Sequence, residues 1–217
     1  MTEPSFDLGY FDVAYRNYAR QNSERKLRHY LDTIERHAPG DRLDLLDVGC
    51  GLGLFAGRAG ARPGWEVTGV DVDPSVIDHN RLRYPGVEFV VGSAIDLGLS
   101  GREFDVVTAW DVIEHITDRD AARQAIREKL RPGGLLFMVV PVYDGVTGPV
   151  IRLLDKDETH VHQVSRQDWI DWMNGPFNVL DWHGIYRYLL PGGLYLHVPT
   201  RRLRRQTPAI LVVARRG

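Results

Sequence analysis

Between residues 43 and 141 short apolar runs alternate with helical patterns, and that alternation leaves few folds open. Strands are predicted at Leu43–Val48, Glu66–Asp71, Val87–Gly92, Phe104–Ala109 and Leu135–Pro141, with helices between them at Leu54–Ala61, Pro74–Arg83 and Asp120–Leu130. Repeated β-α units of this length build a parallel sheet covered by helices on both faces. The punctuation agrees. Asp73 before Pro74 reads as an N-cap followed by proline at the first helical position. Arg131, Pro132, Gly133 and Gly134 end the third helix and turn the chain into the fifth strand. A further helix is predicted at Ser23–Arg36. After Pro141 the pattern breaks into a loop over 142–164. Ser165 to Asp168 then reads as a capping box opening the helix DWIDWM. Late strands are predicted near Asn178–Ile185 and Ile210–Ala214, and the stretch between them is too long for a tight turn.

Ligands of a doubly wound sheet sit beyond the C-terminal ends of its strands. Gly49, Gly51 and Gly53, in LLDVGCGLGLFAGRAG, fall at such an end. Glycine lets a ligand touch the backbone there, and the helix that follows offers unpaired N–H groups. The next strand ends in Asp71, about 20 residues further on, where a carboxylate can accept both ribose hydroxyls of an adenosine-containing cofactor. Asp73 is the competing acid, and its place before Pro74 assigns it to capping. The residues alone leave two cofactors open, because Gly51, Gly53 and Ala56 also satisfy the dinucleotide pattern G-x-G-x-x-A. One alternative is therefore a nicotinamide-dependent oxidoreductase.

Charge and composition narrow the partners. A formal charge of -2 gives no bulk attraction to nucleic acid. Arg201, Arg202, Arg204 and Arg205 read as a solvated loop. No apolar run approaches the ~20 residues of a membrane span, and the acidic start MTEPSFDLGYFD lacks a signal-peptide core. Cys50, the single cysteine, reads as a small packed residue. A cytoplasmic setting is expected.

The wider stretch DVGCGLG resembles motif I of the class I S-adenosylmethionine-dependent methyltransferases. GVDVDP resembles their acidic second-strand end, FDVVTAWDVIEHI their fourth-strand motif and LRPGGLLFMVVP their fifth-strand segment. The order and spacing match as well. The resemblance implies a Rossmann-like, doubly wound, mostly parallel sheet of seven strands with an antiparallel last strand. The cofactor domain is expected over 41–217, with an acceptor-side loop and helix over 142–175. The aromatic set Tyr10, Phe11, Tyr15, Tyr18 and Tyr30 reads as a helical lid over 1–40, the alternative being that it packs one helix onto the sheet. S-adenosyl-L-methionine is the implied cofactor. Its methionine part is expected against Gly49, Cys50, Gly51 and Gly53 with Asp47 supporting the loop, its ribose on Asp71 and its adenine by Val72. Ser93 and Ala94 are expected at the adenine end, although Ser93 stands where the family often has Asp. The Trp110 backbone is expected to meet the methionine amino group, with Asp111 and His115 bordering the same site and Tyr18 closing over it.

The fourth-strand segment is most similar to the ubiquinone-biosynthesis type of small-molecule methyltransferases. A small-molecule acceptor is therefore expected, through a hydroxyl oxygen; the alternatives are N- or C-methylation of a small molecule or macromolecule, or a cofactor-binding family member with another activity. A neutral hydroxyl must lose its proton, and histidine is the natural base. His160 is favoured, in a Thr-His pair that carries the resemblance, ahead of His162 and then His115. Asp155, Asp157, His160 and His162 could ligate a metal, but none is assigned.

Overall fold

The computed structural model describes residues 21–38, 40–145, 148–154, 159–189 and 195–217. Helix α1 (Glu24–His37) is capped by the Ser23 side chain and leads into β1 (Leu43–Val48). There follow α2 (Leu54–Gly60), β2 (Trp65–Asp71), α3 (Pro74–Arg83), β3 (Glu88–Val91), β4 (Phe104–Trp110), α4 (Arg119–Lys129) and β5 (Leu130–Pro141). The C-terminal part adds α5 (Gly148–Leu154), α6 (Arg166–Met173), β6 (Phe177–Leu189), β7 (Tyr195–Thr200) and β8 (Ala209–Arg216). The two anticipated caps are present. Asp73 Oδ1 accepts the Ser75 and Val76 N–H groups at 2.7 and 3.2 Å, and Ser165 with Asp168 forms a capping box.

The strands form one sheet in the order β3-β2-β1-β4-β5-β8-β6-β7. Pairings among β1 to β5 are parallel, whereas β8 runs antiparallel to both β5 and β6. The doubly wound sheet and its antiparallel final strand are as expected. The strand count is not: eight strands are present among the described residues, against the seven expected. The addition is β7, which pairs antiparallel with β6 from Leu189 with Tyr195 to Gly184 with Thr200. A second difference is α5, inside the stretch read as loop. A third is the start of β5, which already pairs at Leu130. Between the pairs Phe104 with Leu130 and Val106 with Leu135 the register shifts, so Arg131–Gly134 bulge out opposite Asp105, with Gly133 at φ 78°.

Two cores lie on the two faces. On one, α1, α2 and α3 bury Leu27, Tyr30, Leu31, Ile34, Phe55 and Ile77 against β1, β4, β5 and β8. On the other, α4 and α6 bury Ile126, Trp169 and Trp172 against the opposite side chains of the same strands. The strand order turns about β1 and β4, so the C-terminal ends of these two strands, Val48 and Trp110, open the crevice in which such sheets bind ligands. No helix among the described residues is long and apolar enough to cross a membrane.

Candidate active site

The glycine loop is built for close backbone approach. Gly49, Gly51 and Gly53 have φ of 67°, 49° and 68°, in the left-handed region that other residues adopt at a cost. A Cβ on Gly49 would also stand 2.5 Å from Val112 Cγ2. Gly51 is held through both of its flanking peptides. Its N–H donates to Asp71 Oδ2 at 2.9 Å, and its carbonyl accepts Asn80 Nδ2 at 2.6 Å. Asp71 Oδ1 takes the Asp73 N–H at 3.2 Å. Burial raises the Asp71 carboxyl above its ordinary range, and the Gly51 and Asp73 N–H groups work against that rise. Asp47, one strand over, accepts Thr108 Oγ1 at 2.7 Å rather than bonding the loop. Burial pushes Asp47 up to about 7, with the Thr108 bond opposing and the charge of Asp71 adding. Cys50 is buried and its thiol is pushed up by that burial, as a packed residue should be. At the far end Val72 is 46% exposed, Ala94 is buried, and Ser93 Oγ accepts the Asp96 N–H at 3.1 Å.

Beyond β4 the wall is ionic and aromatic. Trp110 stacks on Tyr30 of α1 with ring centroids 4.1 Å apart and meets the edge of Phe55 at 5.2 Å. Its indole N–H is buried without a partner among the described residues. Asp111 is the only non-glycine residue with positive φ among them, at 58°. Lys26 of α1 pairs with it at 3.6 Å, and Arg187 of β6 hydrogen-bonds it. Burial alone would raise this carboxyl, but Arg187 and then Lys26 outweigh it and hold Asp111 at about 2. Burial lowers the Lys26 ammonium, with Asp111 opposing. Tyr195 of β7 closes this corner. Burial lifts its hydroxyl to about 12, with Arg187 opposing the rise. The Lys26 Nζ lies 5.9 Å from the centre of the Tyr195 ring.

The histidines divide into two places. His115 and His160 face each other with ring centroids 4.8 Å apart. His115 Nδ1 lies 2.8 Å from Thr159 Oγ1 and 3.2 Å from the Thr159 carbonyl. The Thr159 carbonyl accepts from Nδ1 when that nitrogen is protonated, and the Thr159 hydroxyl donates to it when it is not. His160 Nδ1 lies 3.0 Å from the Tyr143 hydroxyl. Donor atoms of Glu114, His115 and His160 all fall within 4.8 Å of one another. His162 stands apart, its Nε2 donating to the Ile116 carbonyl at 2.8 Å and its ring 6.2 Å from Trp169. Tyr18, Asp155 and Asp157 lie outside the described residues. Among the four arginines read as solvated, Arg201 pairs with Asp181, and Arg204 lies 4.1 Å over the Trp182 ring.

Sequence reading missed Lys26, Asn80, Thr108, Tyr143 and Arg187. Asn80 left a trace: it follows Val76 and Ile77 at the spacing of one helix face, so a polar residue there sits on a buried stripe. Lys26 and Arg187 left none, because their meeting with Asp111 is purely tertiary.

The family model described as a methyltransferase domain matches residues 46–138. A ubiquinone biosynthesis O-methyltransferase of Cereibacter sphaeroides is 40% identical over 102 residues, 45% of this chain and 41% of that protein. A demethylmenaquinone methyltransferase of Chlorobaculum tepidum is 31% identical over 127 residues, 58% of this chain and 50% of that one. The chain thus spans about half the length of these curated relatives. A solved TehB-like S-adenosylmethionine-dependent methyltransferase from Corynebacterium glutamicum shares the fold, with a TM-score of 0.66 at 17% identity over 96% of this chain and 97% of that one. Residues 46–138 are thus similar to a methyltransferase domain, and the fold is that of a solved S-adenosylmethionine-dependent methyltransferase. The curated relatives that this chain resembles bear quinone-biosynthesis names.

Proposed function

We propose that this chain transfers a methyl group from S-adenosylmethionine to a hydroxyl oxygen of a small molecule, with His160 as the base. The observation that carries the reading is the facing pair His115 and His160, set 4.8 Å apart on segments that follow β4 and β5. The residues fit the cofactor. Left-handed glycines present bare backbone, Asp71 keeps lone pairs beyond its two N–H partners, and Val72 offers an exposed apolar surface. Gly49, Cys50, Gly51 and Gly53 would take the methionine part, Asp71 the ribose, and Val72, Ser93 and Ala94 the adenine, with Asp47 behind the loop. Trp110, Asp111 and His115 would border the methionine end. The cofactor supplies an activated methyl group, so the protein has to align the acceptor and exclude water. A hydroxyl acceptor also needs its proton taken at an imidazole lone pair. His115 and His160 bring two imidazoles together there, whereas His162 stands apart beside Trp169 and is the weaker candidate.

The relatives' names, which concern quinone synthesis, support a small-molecule acceptor over a macromolecule. Turnover on a panel of phenols tests the base. His160→Ala should cut kcat by roughly 10²–10⁴ while S-adenosylhomocysteine still binds. Near-normal turnover would discard His160 and favour alignment alone.

One observation favours a second reading. Glu114, His115 and His160 form a carboxylate and imidazole donor set. A divalent cation there would itself lower the pKa of the acceptor hydroxyl. Loss of activity in EDTA, restored by added divalent metal, selects this reading over the histidine base.

A further inference from the structure

We infer that Asn80 is a positioning residue of the cofactor loop, anchoring the peptide plane after Gly51 so that this residue keeps the left-handed conformation in which its N–H meets Asp71. Asn80 lies on α3, is fully buried, and reaches back over β2 to the loop between β1 and α2. The Gly51 carbonyl can only accept, so the atom 2.6 Å from it is the donor Nδ2. The N–H of the same residue, in the preceding peptide, meets Asp71 Oδ2 at 2.9 Å, so the two planes that flank the left-handed Gly51 are held by residues of β2 and α3. The other half of the amide argues that this is more than packing. Asn80 Oδ1 is buried without a partner among the described residues. A buried acceptor left unsatisfied is destabilising, and an apolar residue on this stripe would avoid that loss. The amide is explained by what its donor does: it fixes the peptide plane that follows Gly51, while Asp71 holds the plane that precedes it.

The neighbours leave no slack. A Cβ on Gly53 would come within 3.1 Å of Asn80 Cγ, and one on Gly57 within 2.4 Å of Tyr84 Cδ1. Close approach of α3 to the loop is therefore bought by glycines on the loop side. Without the Asn80 donor the plane after Gly51 loses its anchor, and only the bond to Asp71 is left to hold this glycine in its left-handed conformation.

The inference rests on the S-adenosylmethionine reading, and titration calorimetry with S-adenosylhomocysteine separates the two. No binding by the unaltered chain overturns the cofactor reading, and this inference with it. If that chain binds, Asn80→Ala should weaken affinity about tenfold or more, while folded by circular dichroism. Asn80→Asp carries a sharper signature. Ionised, it cannot donate and repels the Gly51 carbonyl; protonated, its O–H can donate. Its affinity, relative to that of the unaltered chain, should recover as pH falls from about 9 to about 6, while that of Asn80→Ala should not. A lowered melting temperature with affinity within about twofold of the unaltered chain, in Asn80→Ala, would mean a packing role only and overturn the inference. Should Asn80→Asp fail to fold, the Asn80→Ala affinity decides alone.

Discussion

Lowering the pH from 7 to 5 should destabilise this protein by a net of about 2 kcal/mol, through a seam of histidines beneath α1. His29 of α1 and His183 of β6 share a hydrogen bond, Nε2 to Nε2, at 3.0 Å. His197 of β7 lies 5.6 Å from His29, ring to ring, with neither nitrogen partnered among the described residues. The seam is faced by Lys26, Asp32 and Arg36 of α1, Asp181 and Arg187 of β6, Tyr195 of β7, Arg201, and Asp111 after β4. Burial is the first cause in each case, pulling His29 and His183 down to about 4 and His197 to about 3. In the unfolded chain a histidine titrates near 6.5. Because the folded values are depressed, this stability is present above pH 6.5 and is lost as pH falls towards 4. Each proton bound only by the unfolded state contributes about 1.4 kcal/mol per pH unit, so each fully buried histidine loses about 2 kcal/mol by pH 5. Partial exposure of His29 and the proton it shares with His183 reduce the three together to about 4 kcal/mol. Asp47 opposes them. Held at about 7, it takes up a proton in the folded state while the unfolded chain stays ionised, which returns about 2 kcal/mol over the same interval. Asp71, also raised, acts in the same direction. Urea titrations at the two pH values measure the net effect. His183→Gln with His197→Gln should abolish the loss, and Asp47→Asn should roughly double it. Equal stability at both values, unchanged in either variant, would refute the assignment of this seam as neutral histidine.

Two further outcomes follow from the site. Asp71→Ala should lower S-adenosylmethionine affinity at least tenfold, since each charge-assisted bond contributes on the order of 1.5–3 kcal/mol, and calorimetry giving unchanged affinity in a folded variant rules out the ribose role. Arg187→Met strands part of the Asp111 charge and should destabilise by about 3 kcal/mol, with Asp111→Asn recovering most of it; a neutral Arg187→Met would show that Lys26 alone suffices.

What was legible in the sequence was what local chemistry decides. Leu43–Val48 and Pro74–Arg83 were bounded to the residue, one as an apolar run between turn signals, the other by Asp73, Pro74 and the approach of Pro85. Asp71 and the three glycines were readable because strand ends and left-handed turns demand few residue types. β7 was not. Its sequence YLHVPT mixes a histidine and a proline into a short edge strand, which blurs the alternation that marks a half-buried strand. The seven residues of α5 are too few to show a helical period. The bulge at Arg131–Gly134 depends on β4 lying alongside, so the same residues read locally as a helix stop and turn. The ionic wall was invisible because Lys26, Asp111 and Arg187 belong to three distant segments that only the packed sheet brings together.

The added strand changes what can be altered independently. The glycine loop, Asp71 and Asn80 come from a continuous stretch, β1 to α3, within the part of the chain that its relatives match. The wall opposite brings Lys26 of α1, Arg187 of β6 and Tyr195 of β7, all outside residues 46–138, to Asp111, which lies inside them. Substitutions at Tyr195, His197 or Arg187 leave the register of β1 on β2 untouched, because β4, β5 and β8 stand between β1 and β6. The fold thus works like a tool with a fixed shank and an exchangeable bit. An engineer seeking a new acceptor would redraw α1, β6 and β7 and leave residues 43–83 as they are.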